Sequence, residues 1–178
     1  MSGPGENQPK PVSLLLPEGT VIRPMTPADV EEVAALEKVC FPTAWTKESY
    51  LRELANPHGC YLVARKAGPG RLLGYAGLRV VGPEAHVSTL CVAPECRRQG
   101  LAKALLGQAL TLARERGASR ALLEVREGNL AARQLYEGFG FCVIALHRGY
   151  YGDSGENALV MWKELQPSET CCDTPAPG

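Results

Sequence analysis

The chain is 178 residues long, 45% hydrophobic, and sets 19 Lys and Arg against 19 Asp and Glu; that length fits one domain able to bury most of its apolar surface. Zero formal net charge supplies no global field to recruit nucleic acid or an anionic membrane, and the apolar runs are too short to span a bilayer. Residues 1–11 lack the basic start and apolar core of a signal peptide, so the expectation is a cytoplasmic protein, monomeric or weakly dimeric.

Residues 1–19 carry Pro and Gly and are polar apart from Val12 to Leu16, which predicts a loosely attached arm before a domain spanning 20–165. Thr26 and Pro27 read as a helix start, with Val30, Val33, Ala34, Leu36 and Val39 on its core face and Phe41-Pro42 ending it. Thr46 caps a second, shorter helix through Leu54. Strands follow at Tyr61–Arg65, Leu72–Val81 and Ala85–Val92, separated by Gly68–Gly70 and Gly82-Pro83, and they read as an antiparallel meander. Beyond Pro94 a helix starts near Gly100, carries Leu101, Leu105, Ala109 and Leu112 on one stripe, and stops at Gly117. Next come a strand at Ala121–Val125, a helix from Asn129 to about Gly138, and strands near Phe141–Arg148 and Ala158–Lys163. Residues 166–178 lack apolar periodicity and read as a disordered tail. This order of elements predicts an α/β (α+β) domain: a mixed, twisted sheet flanked by helices.

The seven cysteines show neither Cys-x-x-Cys spacing nor clustering with His, and most read as reduced packing residues. The adjacent Cys171-Cys172 pair in the tail is expected to be exposed and oxidisable. His58, His86 and His147 are scattered along the chain, so no metal site is expected.

The turn between the third of these strands and the helix at Gly100 is the segment richest in chemistry. Arg97, Arg98, Gln99, Gly100, Leu101 and Ala102 lie at a helix N-terminus, where unpaired N–H groups and the positive end of the helix dipole attract anions and small side chains let a phosphate approach. Farther along, Leu122, Glu124 and Arg126 share one face of their strand, so a carboxylate interrupts an apolar segment. Read from the residues alone, Glu124 is either a structural ion pair with Arg126 or another cation, or a functional base. Tyr136 is equally compatible with packing beside Leu135 and Phe139, Asn129 with a simple N-cap, and Arg133 with either solvent or an anion. Phe41, Pro42, Trp45, Tyr150 and Tyr151 are large amphipathic groups in expected loops, suited to gripping an extended peptide or to filling the core.

Arg97-x-x-Gly100-x-Ala102 resembles the acetyl-coenzyme A pyrophosphate loop of the GNAT N-acetyltransferase superfamily, and Asn129-x-x-Ala132-x-x-x-Tyr136-x-x-x-Gly140-Phe141 resembles its fourth-helix signature. Within the superfamily, Leu122-Leu123-Glu124-Val125-Arg126, Leu135-Tyr136-Glu137, Arg148-Gly149-Tyr150-Tyr151 and Phe41-Pro42-x-x-Trp45 are similar to the RimI-type ribosomal-protein alanine N-acetyltransferases. The likeness runs from about Val21 to Leu165. It departs from the pattern in the two tails and in an unusual loop at Glu84 to His86.

The resemblance implies a GNAT fold of about seven strands and four helices, with the fourth and fifth strands splayed to hold the pantetheine arm. It implies acetyl-coenzyme A as cosubstrate, held by Leu90, Cys91 and Val92, by Arg97 to Ala102, and by Asn129 and Tyr136, with the N-terminus of a ribosomal protein (the eighteenth small-subunit protein) as acceptor. An α-ammonium has a pKa of about 7.7 to 8.0 and must lose a proton to become a nucleophile; Glu124 would take it. Tyr136 would serve as acid towards the departing sulfur. Phe41, Trp45, Tyr150 and Tyr151 would line the peptide groove. Two alternatives share these motifs: an enzyme acetylating a lysine side chain or small amine, and a non-catalytic acyl-coenzyme A module. Covalent transfer through Cys91 or Cys96 is disfavoured because no His accompanies them in a motif.

Overall fold

A computed structural model describes residues 16–165; the expected tail, with Cys171-Cys172, and residues 1–15 of the expected arm lie outside the described residues. β1 (Thr20–Pro24) leads through a 3-10 turn into α1 (Val30–Cys40) and α2 (Lys47–Ala55). The meander β2 (Gly59–Lys66), β3 (Leu72–Val81) and β4 (Glu84–Val92) follows. Then come α3 (Leu101–Glu115), β5 (Arg120–Arg126), α4 (Leu130–Gly138), β6 (Cys142–Tyr151) and β7 (Glu156–Glu164). β1 is not singled out by periodicity; its five residues end in Pro24 and it acquires its partners only from β2. The expected loop at Glu84 to His86 is instead the start of β4.

The strands form a seven-stranded sheet in the order β1-β2-β3-β4-β5-β7-β6. All neighbours are antiparallel except β4 and β5, which run parallel and pair only over Glu84–Val87 and Arg120–Leu123. In β4 a bulge leaves Ser88 without a cross-strand mate, since Leu78 pairs with Val87 and Gly77 with Thr89. A bulge bends and twists its strand. From Ser88 to Val92, β4 therefore turns away from β5 and keeps only β3 as partner, which opens the splay the resemblance implied.

One face of the sheet is covered by α3 and α4. Leu101, Leu105, Leu106, Ala109 and Ala113 of α3 pack with Leu62, Leu73, Leu123 and Met161 in the larger core cluster, and Tyr136, Phe141 and Leu159 extend it under α4. On the other face, α1 and α2 bury Val30, Val33 and Tyr50 against Tyr61, Val63, Tyr75 and Cys91.

α1 departs from the expected pattern. Val39, expected in the core, is 67% exposed, whereas Glu37 is 3% exposed. The Glu37 carboxylate accepts from the Tyr50 hydroxyl at 2.6 Å and from the Tyr75 hydroxyl, and at 3.3 Å from the backbone N–H of Trp45. Three donors replace the water that burial removes. Burial, with that carboxylate adding to it, pushes both phenols far above their ordinary range, so they stay protonated. The Tyr50 ring also meets the Tyr61 and Tyr75 rings edge-on. Thr46 caps α2 as expected, accepting from Ser49 N at 3.2 Å. Cys60, Cys91 and Cys96 are buried, but Cys142 is exposed on β6 because β6 is the edge strand.

Candidate active site

Alternation along β5 buries Ala121, Leu123 and Val125 towards α3 and turns Leu122, Glu124 and Arg126 to the opposite face. β4 does the same before its bulge, burying Ala85 and Val87 and turning His86 to the Glu124 side. The parallel register sets His86 beside Leu122, one step below Glu124. His86 Nε2 lies 2.6 Å from Glu124 Oε2 at the point where the strands separate. Hydrogen bonding to the Glu124 carboxylate raises the His86 pKa above its usual 6.5, and the same bond lowers that of Glu124, with burial opposing each shift. Neither group is sealed off: the side chains are 44% and 23% exposed.

Glu124's partner is thus His86, not Arg126. Arg126 is engaged by Asp153 at 2.7 Å and Glu156 at 3.2 Å. His86 is the candidate site residue that the sequence reading missed, where it read as one of three scattered histidines. His147, on β6, is also close enough to act on Glu124 electrostatically. The signal that could have found His86 is the strand pattern: it shares a face with Glu124 on adjacent parallel strands.

The opposite end of the gap is built for an anion. After a 3-10 turn at Pro94–Cys96, Arg98 adopts φ 61° and Gly100 φ 79°, two left-handed residues in three. Such a sequence turns successive N–H groups inward. It delivers them to the start of α3, which no side chain caps. Arg98, Gln99 and Gly100 stay accessible, while Leu101 anchors the turn in the core and Ala102 packs against its edge. Arg97 Nε donates to Val92 O at 3.2 Å and its guanidinium lies 3.7 Å from Cys40 Sγ, so this exposed side chain also braces the loop against the end of β4.

Between these two ends runs the edge of β4 left unpaired by β5. Leu90 packs on the core, and Cys91 and Val92 are buried, so their side chains are occupied and only the backbone faces the gap. The Cys91 thiol is pushed well above its ordinary range, chiefly by burial. A thiol raised in this way favours its protonated, less nucleophilic form.

Tyr136 is 8% exposed, lies in the α3 and α4 core and meets Phe141 at 5.9 Å, ring to ring. Burial, with a smaller contribution from Tyr151, pushes its pKa up to about 12. Asn129 caps α4 by accepting from Ala132 N at 3.1 Å. The Arg133 guanidinium donates to Glu127 O at 3.1 Å, and its Nε is buried without a partner.

Phe41 and Trp45 close the α1 and α2 face, packing against the tyrosine cluster. Tyr150 and Tyr151 are not in a loop; they end β6, where Tyr151 pairs with Glu156 of β7. Tyr151 lies under Arg126, whose guanidinium carbon is 3.8 Å from the ring centroid. The fold thus collects Trp45, Phe41, His86, Glu124 and Tyr151 on one side of the gap, and Tyr136 with the α3 turn on the other.

Residues 30–141 match the acetyltransferase (GNAT) family. The chain is 39% identical over 142 residues to a putative [ribosomal protein bS18]-alanine N-acetyltransferase of Bacillus subtilis, covering 79% of this chain and 93% of that protein. It is 37% identical over 153 residues to the N-alpha-acetyltransferase RimI of Mycobacterium tuberculosis, covering 83% and 94%. The crystal structure of the ribosomal-protein-S18-alanine N-acetyltransferase from Escherichia coli superposes with a TM-score of 0.75 at 27% identity, covering 85% of this chain and 97% of that one.

Proposed function

The chain belongs to the GNAT acetyltransferase family, and from that premise we propose that it acetylates the α-amine of an N-terminal alanine, with a ribosomal protein, the relative of bS18, as acceptor and acetyl-coenzyme A as acetyl donor. The relatives named for that activity share about three to four residues in ten with this chain over most of both lengths. No helix among the described residues is long and apolar enough to cross a membrane, which suits an enzyme that meets ribosomal proteins in the cytoplasm.

The residues present fit the donor. The uncapped start of α3, with left-handed Arg98 and Gly100 ahead of it, offers N–H groups to a pyrophosphate. The unpaired edge at Leu90 to Val92 offers backbone groups to an amide-bearing arm, as an added strand would use them, and Asn129 and Tyr136 lie on the same side. When bound, acetyl-coenzyme A supplies an acyl group activated as a thioester.

The observation that carries the catalytic reading is the 2.6 Å contact of His86 with Glu124 at the fork of the strands. An ammonium must lose its proton before its lone pair can attack. Glu124 takes that proton, and His86 shares it through the hydrogen bond that already links them. Tyr136 keeps its proton on Oη through the working pH range because its pKa is near 12. A phenol held that high is a weaker acid than a thiol, whose ordinary pKa is about 8.5. Tyr136 therefore acts mainly as a hydrogen-bond donor to the departing sulfur. Phe41, Trp45, Tyr150 and Tyr151 frame the acceptor on the Glu124 side.

Mass spectrometry of protein N-termini from cells with and without this protein tests the reading. Loss of acetylation confined to alanine-starting ribosomal protein supports it; loss at lysine side chains or on small amines instead would replace it.

A further inference from the structure

Arg126 points to the same face as Glu124, two residues on, yet it makes no contact with that carboxylate. Both of its terminal nitrogens are directed at the turn joining β6 to β7 and the start of β7. One terminal nitrogen donates to Ser154 Oγ at 2.8 Å and to Glu156 Oε2 at 3.2 Å, and the other to Asp153 Oδ2 at 2.7 Å. The guanidinium plane also covers the Tyr151 ring. The far side of the turn is tied down as well. Glu156 Oε1 accepts from Gly128 N at 2.9 Å, and a Cβ at Gly128 would stand 2.9 Å from that same oxygen, so a side chain there would push the carboxylate aside. Asn157 then donates to Glu127 and accepts from Gly149 N. The group is one-quarter exposed, so its pairs are shielded more than ordinary surface ion pairs.

We infer that Arg126 is a positioning residue for acceptor recognition: it fastens the β6 and β7 turn to β5 and fixes the Tyr151 ring beside Glu124 before any acceptor arrives. This rests on the proposed role of Tyr150 and Tyr151 in framing the acceptor. A planar guanidinium is required, because two carboxylates must be bridged while a ring is stacked, which an ammonium cannot do at once. A preformed groove lowers the ordering cost of binding a peptide.

The test compares wild type with Arg126→Met, which keeps an unbranched stem and loses every donor, and with Arg126→Lys. Amide hydrogen exchange at residues 151–157 should quicken about tenfold in Arg126→Met while exchange in β3 stays as in wild type. The KM for an alanine-starting peptide should rise about tenfold, with the KM for acetyl-coenzyme A held within about twofold, and Arg126→Lys should recover little. Unchanged exchange at 151–157 overturns the inference, as does an unchanged peptide KM. So does a parallel rise of both KM values with faster exchange in β3, which would mean general loosening. A wild-type protein inactive on the peptide, with the exchange difference present, would refute the proposed acceptor while supporting the fastening role of Arg126.

Discussion

His86 Nε2 and Glu124 Oε2 meet 2.6 Å apart at the last point where β4 and β5 still touch. Each stabilises the other's charged form, so the imidazole titrates above its ordinary 6.5 and the carboxylate below its ordinary range. For stability, the raised His86 contributes fully below its unfolded pKa and loses that contribution as pH rises through its folded one. The lowered Glu124 contributes above its unfolded pKa and loses that as pH falls through its folded one. The pair is most stabilising in the window between them.

For activity the sign is opposite. While His86 is protonated the pair is fully occupied and accepts no further proton, so kcat/KM should rise with pH through the His86 pKa, above 6.5. A second acid limb, near 8, belongs to the amine itself. His86→Ala frees Glu124 from its partner, and the lower limb should move to more acid pH. A pH–rate profile in which that limb does not move would remove His86 from the proton pathway.

Glu124→Gln keeps the size and the contact to His86 but loses the basic oxygen. Turnover near neutrality should fall by about 10²- to 10⁴-fold and recover in part above pH 8, where a growing fraction of amine is already neutral. Wild-type turnover at pH 7 would return Glu124 to a structural role.

Tyr136→Phe should lower turnover without altering the acid limbs, and the defect should persist as pH rises, because the phenol it removes does not titrate in that range. It should shrink with an acyl donor whose leaving group is more acidic. Rates measured with thioesters of graded leaving-group pKa decide the point.

Gly100→Val places a β-branched side chain at φ 79°, a conformation that strains any such residue, and fills the space before α3. The dissociation constant for acetyl-coenzyme A, measured by calorimetry on the folded variant, should rise at least about tenfold. Unaltered affinity would detach the turn from donor binding.

Glu37→Leu would strand the Tyr50 and Tyr75 hydroxyls in the interior. Unsatisfied buried donors cost about 1–3 kcal/mol each, so the melting temperature should drop by several degrees, roughly 2–4 °C per kcal/mol. Glu37→Gln, which keeps an acceptor, should lose less. Differential scanning fluorimetry of both variants measures the difference.

Elements with strong local punctuation were legible in the sequence. Leu72–Val81 is a long apolar run between glycines and it forms β3 over those residues; Thr46 and Asn129 cap the helices their spacing suggested. β1 was hidden because five residues ending in proline carry little period. Glu37 was hidden because an amphipathic reading sends every carboxylate outward, and only the tertiary arrival of Tyr50 and Tyr75 makes an inward one tolerable. Glu124 stood out as a charge within an apolar strand, but its partner is 38 residues away. Finding it required the parallel register of β4 on β5, which no local pattern encodes. Tyr150 and Tyr151 were misplaced for the converse reason: β6 reads as ended at Arg148, and pairing with β7 resumes beyond it at Tyr151.

The bulge at Ser88 leaves an open strand edge in the middle of a sheet instead of at its rim. Backbone groups there have lost β5 as a neighbour, and only Val92 O gains a side-chain donor, from Arg97, so a bound extended molecule that hydrogen-bonds to the rest completes the sheet. Ligand occupancy and folding are then linked: saturation at a hundred times the dissociation constant would add about 2.7 kcal/mol to stability. The same edge, left empty, is a template on which a second unfinished strand can nucleate, so the donor-free protein should aggregate more readily on mild heating than the donor-saturated one.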